Sequence, residues 1–240
     1  MRIQLFSTCL VDSLYPEVGD AILRILKKFG VDVSFPKNQT CCGQPAFNAG
    51  YRAEAKAAAE HFLSVFSGSD PIVIPSGSCA AMIKRHYLEL FHDNQRLQES
   101  TKNIVNRLYE LSQFLVHVLH VHEANLRGTG KVTYHSSCHL TRVLNIREEP
   151  LLLLEALGGI EFIPLPDTTR CCGFGGIFMA KLPEISMAIA DEKADKIIST
   201  DANIVAGADS GCLMNIADAL KKKDSHITTR HIAQLLAEGL

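Results

Sequence analysis

The tripeptide Cys-Cys-Gly occurs twice in this chain, at Cys41-Cys42-Gly43 and at Cys171-Cys172-Gly173. A lone cysteine precedes each pair, Cys9 by 31 intervening residues and Cys138 by 32. Another follows each, Cys79 after 36 residues and Cys212 after 39. All 8 cysteines are thereby used, four in each half. Thiolates are soft ligands, and four together suit Zn²⁺ or an iron–sulfur cluster. Vicinal side chains cannot easily both face one small ion in tetrahedral geometry, but they reach two iron atoms of one cluster. A glycine directly after the pair lets the backbone pass close to a sulfide and turns an N–H toward sulfur. The pattern therefore favours a cluster over a lone zinc. Structural zinc in one half, inert buried thiols and a strained disulfide-exchange pair are the alternatives.

Strands and helices must bring each set together. Ile3, Leu5 and Phe6 form a short apolar strand running to Cys9. Pro16 starts an amphipathic helix with Val18, Ala21, Ile22, Ile25, Leu26 and Phe29 on one face, and Gly30 stops it. Val31, Val33 and Phe35 alternate as a strand before the loop bearing Cys41-Cys42. Residues 51–66 read as helix, Pro71 to Pro75 as a buried strand ending near Cys79, and a further helix follows.

The second half repeats this order. Lys131 to Tyr134 leads to Cys138, a helix runs from Leu151 to Leu157, and Ile160 to Leu165 precedes Cys171-Cys172. Residues 184–198 are helical, and Asn203 to Ala206 leads to Cys212. The spacing predicts a duplicated α/β protein. Each of two pseudo-twofold-related modules holds a small parallel sheet flanked by helices, with cysteines at strand C-terminal ends. Residues 86–127 read as polar helix, and Gly128-Thr129-Gly130 marks a boundary between modules 1–127 and 128–240. Tyr109 to Leu115 resembles Arg230 to Leu236, so both are expected to be closing helices.

Over 240 residues, 47% hydrophobic and 21% charged content describes a chain able to bury a core. A formal net charge of −2 gives no electrostatic footprint for nucleic acid. No apolar run reaches membrane-span length, and Met1 to Phe6 does not read as a signal-peptide core, so a cytoplasmic location is expected. There is no dinucleotide fingerprint, P-loop or four-cysteine ferredoxin run. His135 and His139 flank Cys138 and His86 follows Cys79, so each could approach a cluster, but the favoured reading of each is a satisfied polar or surface residue, and His231 reads as structural. Arg170, next to Cys171, is a candidate to balance a negative cluster, and Lys221 to Lys223 reads as a solvated helix end.

A lone cysteine, Cys-Cys-Gly and a final cysteine, twice over, resemble the CCG cysteine-rich family. That family includes the B subunit of heterodisulfide reductase, the iron–sulfur subunit of glycolate oxidase and the C subunit of anaerobic glycerol-3-phosphate dehydrogenase. The stretches Cys41-Cys42-Gly43-Gln44-Pro45-Ala46, Pro75-Ser76-Gly77-Ser78-Cys79, Ser137-Cys138-His139, Cys171-Cys172-Gly173-Phe174-Gly175-Gly176 and Ser210-Gly211-Cys212 carry the likeness over nearly the full length. It is closest to members that serve lactate utilisation. The resemblance implies an iron–sulfur electron-transfer subunit of a multisubunit system oxidising L-lactate to pyruvate, with a ferredoxin-like iron–sulfur protein and a third subunit as partners. It implies cysteine-ligated iron–sulfur clusters, of the 4Fe-4S type or of the non-cubane type found in heterodisulfide reductase, one per half, held by Cys9, Cys41, Cys42 and Cys79 and by Cys138, Cys171, Cys172 and Cys212. A heterodisulfide reductase-like thiol/disulfide enzyme and a zinc-stabilised scaffold subunit are the alternative readings. Family members often end each module with Cys-x-x-Cys, whereas the earlier position here is Ser76 or Asp209. Four thiols then suffice, or an oxygen ligand or an open iron takes the remaining place.

Overall fold

The computed structural model describes residues 1–240. In the first half the elements are β1 (Arg2–Leu5), α1 (Cys9–Leu14), α2 (Pro16–Lys28), β2 (Asp32–Ser34), α3 (Gln44–Asn48), α4 (Arg52–Val65), β3 (Ile72–Ile74) and α5 (Gly77–Ala81). After a π-helical turn at Met82–His86 come α6 (Tyr87–Leu90), α7 (Gln95–Val105), β4 (Leu108–Glu110) and α8 (Leu111–His117). The second half has β5 (Leu126–His135), a π-helical turn at His139–Val143, α9 (Glu149–Glu155), β6 (Leu157–Phe162) and α10 (Ile177–Lys181). It closes with α11 (Pro183–Ile198), β7 (Ile204–Gly207), α12 (Ser210–Lys222), β8 (Thr228–His231) and α13 (Ile232–Glu238).

The two sheets are parallel throughout and have the same strand order, β2-β1-β3-β4 and β6-β5-β7-β8. The duplication read from the cysteines is thus a duplication of the fold. Local chemistry explains the elements. Pro16 sits in the first turn of α2, and Val18, Ala21, Ile22, Ile25 and Leu26 form its buried stripe. β3 is apolar at all three positions because both faces of a parallel sheet are covered. No helix is long and apolar enough to cross a membrane.

Some of the expected elements need correction. Residues 86–127 are not one helical stretch, because Leu108–Glu110 forms β4 at the edge of the first sheet. The segments around Tyr109 and Arg230 do resemble each other, but each is an edge strand followed by a helix rather than a helix alone. Gly128-Thr129-Gly130 lies inside β5, as an irregularity in the register with β6. Leu157-Gly158-Gly159 likewise opens β6 instead of closing α9.

The closing helices are exchanged between modules. α13 packs on α2, and α8 packs on α9. One apolar core of 30 residues therefore contains Ile3, Leu26 and Phe114 together with Leu153, Val132 and Leu236. Arg24 on α2 donates through Nη2 to the Ala237 carbonyl at 2.8 Å, across the same seam.

Each closing helix is capped by the last residue of its edge strand. Nδ1 of His231 accepts from the Ala233 N–H at 3.2 Å, while its own N–H donates to Gln234 Oε1 at 2.8 Å. Glu110 Oε2 accepts from the Ser112 N–H at 2.8 Å. Glu110 is fully buried, and burial pushes its carboxyl up from about 4.5 to about 7. A folded pKa above the unfolded one means the unfolded chain ionises first. Stability contributed by the neutral acid is then lost as pH rises from 4.5 through 7. Glu110→Gln keeps an oxygen acceptor and cannot ionise, so it is expected to flatten that decline. Urea unfolding of both proteins from about pH 5 to 8 reads this, and a wild-type-minus-variant difference independent of pH counts against it.

Candidate metal centres

In an open parallel sheet, residues that follow strands share one edge. Cys9 opens α1 after β1, Cys41 and Cys42 occupy the loop after β2, and Cys79 lies in α5 after β3. Cys138 follows β5, Cys171 and Cys172 follow β6, and Cys212 lies in α12 after β7. Each module thus draws its four thiols from three strand ends, as the spacing predicts.

Within the first set, Cys9 Sγ stands 4.0 Å from Cys41 Sγ and Cys42 Sγ stands 3.3 Å from Cys79 Sγ. Cys41 and Cys42 also engage each other, so the four sulfurs form one succession with the vicinal pair at its middle. The second set forms the same succession, Cys138 to Cys171, Cys171 to Cys172 and Cys172 to Cys212. The Gly43 N–H donates to Cys41 Sγ at 3.4 Å, and the Gly173 N–H to Cys171 Sγ at 3.3 Å. Both glycines have φ above +80°, and a Cβ on Gly173 would lie 2.5 Å from the Ser186 carbonyl oxygen. The glycine after each pair thus does what its sequence position suggests. The carbonyl of the second vicinal cysteine is also fixed in each module, by Tyr87 Oη to Cys42 at 2.9 Å and by Asn215 Nδ2 to Cys172 at 2.7 Å. Thr8, buried just before Cys9, is held at φ 71° and ψ 154°, a region favourable only to glycine.

Charge is unevenly shared within each set. Cys41 is pulled down to about 3 by the Cys42 and Cys9 thiols and the Gly43 N–H that donate to it. Cys171 is pulled down to about 2 by Cys138, Cys172 and the Gly173 N–H. Cys9, Cys42, Cys138 and Cys172 are pushed up, chiefly because each gives its proton to a neighbouring sulfur. Cys41 and Cys171 are thus drawn toward the thiolate form that a metal takes, and thiols release protons as metal binds. The donor set fits a thiophilic metal or an iron–sulfur centre.

The modules meet beside the first set. A cavity of about 100 Å³ is lined by Cys9, Cys41, Cys42 and Cys79 and also by Phe174 and Asp209 from the second module. Ser76 and Asp209, where the family often has another cysteine, are helix caps. Ser76 Oγ accepts from the Cys79 N–H, and Asp209 Oδ1 accepts from the Gly211 N–H, both at 3.3 Å. Asp209 Oδ2 further accepts from the Ser78 N–H at 2.8 Å and from Ser76 Oγ at 3.3 Å. These oxygens are already engaged in holding the helices that carry Cys79 and Cys212. A second link joins the sets directly. Gln44 Nε2 donates to the Ser78 carbonyl at 3.1 Å and lies 3.3 Å from His139 Nε2, while His139 Nδ1 lies 3.8 Å from Cys138 Sγ.

The other candidates sort clearly. His139 belongs to the site. His86 pairs with Glu89 at 3.2 Å and rests against the Phe47 ring, away from the thiols. Arg170 pairs with Glu192 at the surface instead of facing the cysteines. His231 is structural, as expected. His135 is neither satisfied nor exposed: it is 1% exposed, and neither ring nitrogen has a partner. Burial depresses it to about 3, so the imidazole is neutral. Lys193 is missed by sequence reading altogether. It lies fully buried on α11, donating to the Asp167 carbonyl at 3.2 Å, and burial lowers it to about 8.

Comparison with known proteins agrees with this geometry. A family profile described as "Cysteine-rich domain" (CCG) matches residues 3–84 and 132–217, one match in each sheet region. The chain is 45% identical over its full length to "Lactate utilization protein A 2" of Bacillus cereus (strain Q1), covering 99% of it. It is 43% identical over 98% of its length to "Lactate utilization protein A" of Geobacillus sp. (strain WCH70), again covering 99% of the relative. A solved structure, "Crystal structure of a hypothetical protein from Helicobacter pylori", superposes on 99% of the chain with a TM-score of 0.68 at 11% identity. The chain spans 48% of that larger protein, and the likeness is one of fold. With two matching cysteine modules and full-length relatives, the chain belongs to the CCG cysteine-rich family, within the group that includes lactate utilization protein A.

Proposed function

We propose that the protein is an iron–sulfur electron-transfer subunit of a multisubunit system that oxidises L-lactate to pyruvate. The observation that carries this reading is the gathering of four thiols in each module into one succession of sulfurs with the vicinal pair at its middle, a donor set that suits a centre of several metal atoms. Cys9, Cys41, Cys42 and Cys79 hold one 4Fe-4S-type cluster in module 1–127. Cys138, Cys171, Cys172 and Cys212 hold another in module 128–240. When bound, such clusters supply one-electron exchange. The chain's own part is to gather eight free thiols into two sets, which suits the reducing cytoplasm. Exposed Cys9 beside the first cavity gives a partner close approach, and Gln44 with His139 bridges the two thiol sets. The substrate comes from the relatives' names, and the sequence has no flavin or nicotinamide fingerprint. A ferredoxin-like iron–sulfur protein and a third subunit therefore complete the system.

Structural zinc in one module is the second reading. Sulfur separations of 3.3 and 4.0 Å in the first set bracket the separation of about 3.8 Å that a tetrahedral ion at ~2.3 Å from each sulfur requires. One assay separates the two. Protein purified without oxygen is analysed for iron, acid-labile sulfide and zinc, and its EPR spectrum is recorded oxidised and reduced. Near-equal iron and sulfide with a redox-dependent signal is expected; zinc without sulfide overturns the electron-transfer reading.

A further inference from the structure

The two modules are not chemically equivalent, and the difference lies in two aligned positions. His135 stands three residues before Cys138, where Phe6 stands three residues before Cys9. On the helix that covers each thiol set, Gly173 approaches Ser186 and Ile189 as Gly43 approaches Ala55 and Ala58, so Lys193 falls in register with Phe62. In the first module Phe6 and Phe62 meet edge to face at 5.1 Å and bring no donor to the thiols. In the second module both places are polar. Donor atoms of His135, Cys172 and Cys212 lie within 4.8 Å of one another, all three residues buried. A buried imidazole with two unpartnered nitrogens costs free energy unless something binds it. Lys193 does not fill that role: its Nζ donates to the Asp167 and Thr168 carbonyls and makes no hydrogen bond to either ring nitrogen.

We propose that the metal of the second module is bound through a ring nitrogen of His135 in addition to its thiolates, so that the first centre is all-sulfur and the second is mixed sulfur and nitrogen. This rests on the reading of the cysteine sets as metal centres. Imidazole suits iron and zinc alike, so the assignment holds for either metal. It adds a neutral donor where a thiolate would add a negative charge.

The test uses the full chain, purified anaerobically after labelling with ¹⁵N-histidine. Metal and sulfide are measured first, and pulsed EPR then records nitrogen coupling in the paramagnetic state. Where the native metal is diamagnetic in both redox states, Co²⁺ loaded into the metal-free chain is the probe. The expected result is a histidine coupling strong enough for a direct bond, lost in His135→Phe and retained in His139→Gln. His135→Phe installs the side chain the first module already accommodates, and the labelled wild-type chain decides for or against a histidine ligand even if that variant fails to fold. Bound metal with only weak, through-space histidine coupling overturns the ligation by His135 and leaves the metal centres standing. Bound metal with strong coupling that survives in His135→Phe does the same. A chain that takes up no metal overturns both.

Discussion

Replacing Cys172 with serine is expected to strip the second module of its metal while sparing the first, so that about half of the bound metal is lost. Cys172 is 3% exposed and sits between Cys171 and Cys212, so no solvent ligand can replace it. A serine oxygen is a hard donor in a site built for soft ones. Metal binding and folding are linked, so the variant should also unfold at lower temperature when loaded, while the metal-free proteins differ little. Cys42→Ser should give the mirror result, keeping the second centre and losing the first. Iron, sulfide and zinc analysis with EPR measures both variants. Retention of full metal content and an unchanged spectrum in Cys172→Ser would rule out this ligand.

Asp209→Ala is the substitution outside the thiols with the largest expected cost, about 3 kcal/mol in the metal-free chain. The carboxylate is buried and accepts from the Gly211 N–H, the Ser78 N–H and Ser76 Oγ. Hydrogen bonds to a charged group contribute about 1.5–3 kcal/mol each, and loss of a helix cap alone costs about 1. Alanine leaves the buried Gly211 amide and the part-buried Ser78 amide without an acceptor. Because one of them belongs to α5 of the first module, the variant should also loosen the seam beside the first cavity. Ser76→Ala, which removes one neutral hydroxyl, should cost about 1 kcal/mol. Urea unfolding measures both. A loss below about 0.5 kcal/mol for Asp209→Ala would show that water satisfies these amides and that Asp209 does not hold the modules together.

How much of the molecule is legible in its sequence differs from residue to residue. The eight cysteines, their grouping and their place after strands can be read from spacing and the alternation of short apolar runs with amphipathic helices. β4 cannot, because Leu108-Tyr109-Glu110 is three residues long and joins a helical pattern on either side. Its pairing with β3, a long-range contact, decides its conformation. Gly128 and Gly130 mislead because a glycine in a strand can mark a bulge as readily as a break.

The side chains around the thiols divide in the same way. The offset between halves aligns His135 with Phe6, but nothing in the offset tells a surface histidine from a buried one. Ser76 and Asp209 are visible as departures from a cysteine pattern, yet their bond to each other spans 133 residues of chain. The duplication, the ligand chemistry and the strand edge where it gathers follow from residue type and local periodicity, so the chain carries them in its spelling. The exchange of the closing helices, the tie that Asp209 makes between modules and the unpartnered imidazole inside the second set emerge only once the chain is folded. Each of these depends on segments distant in the chain, and its worth depends on burial, which no local pattern records.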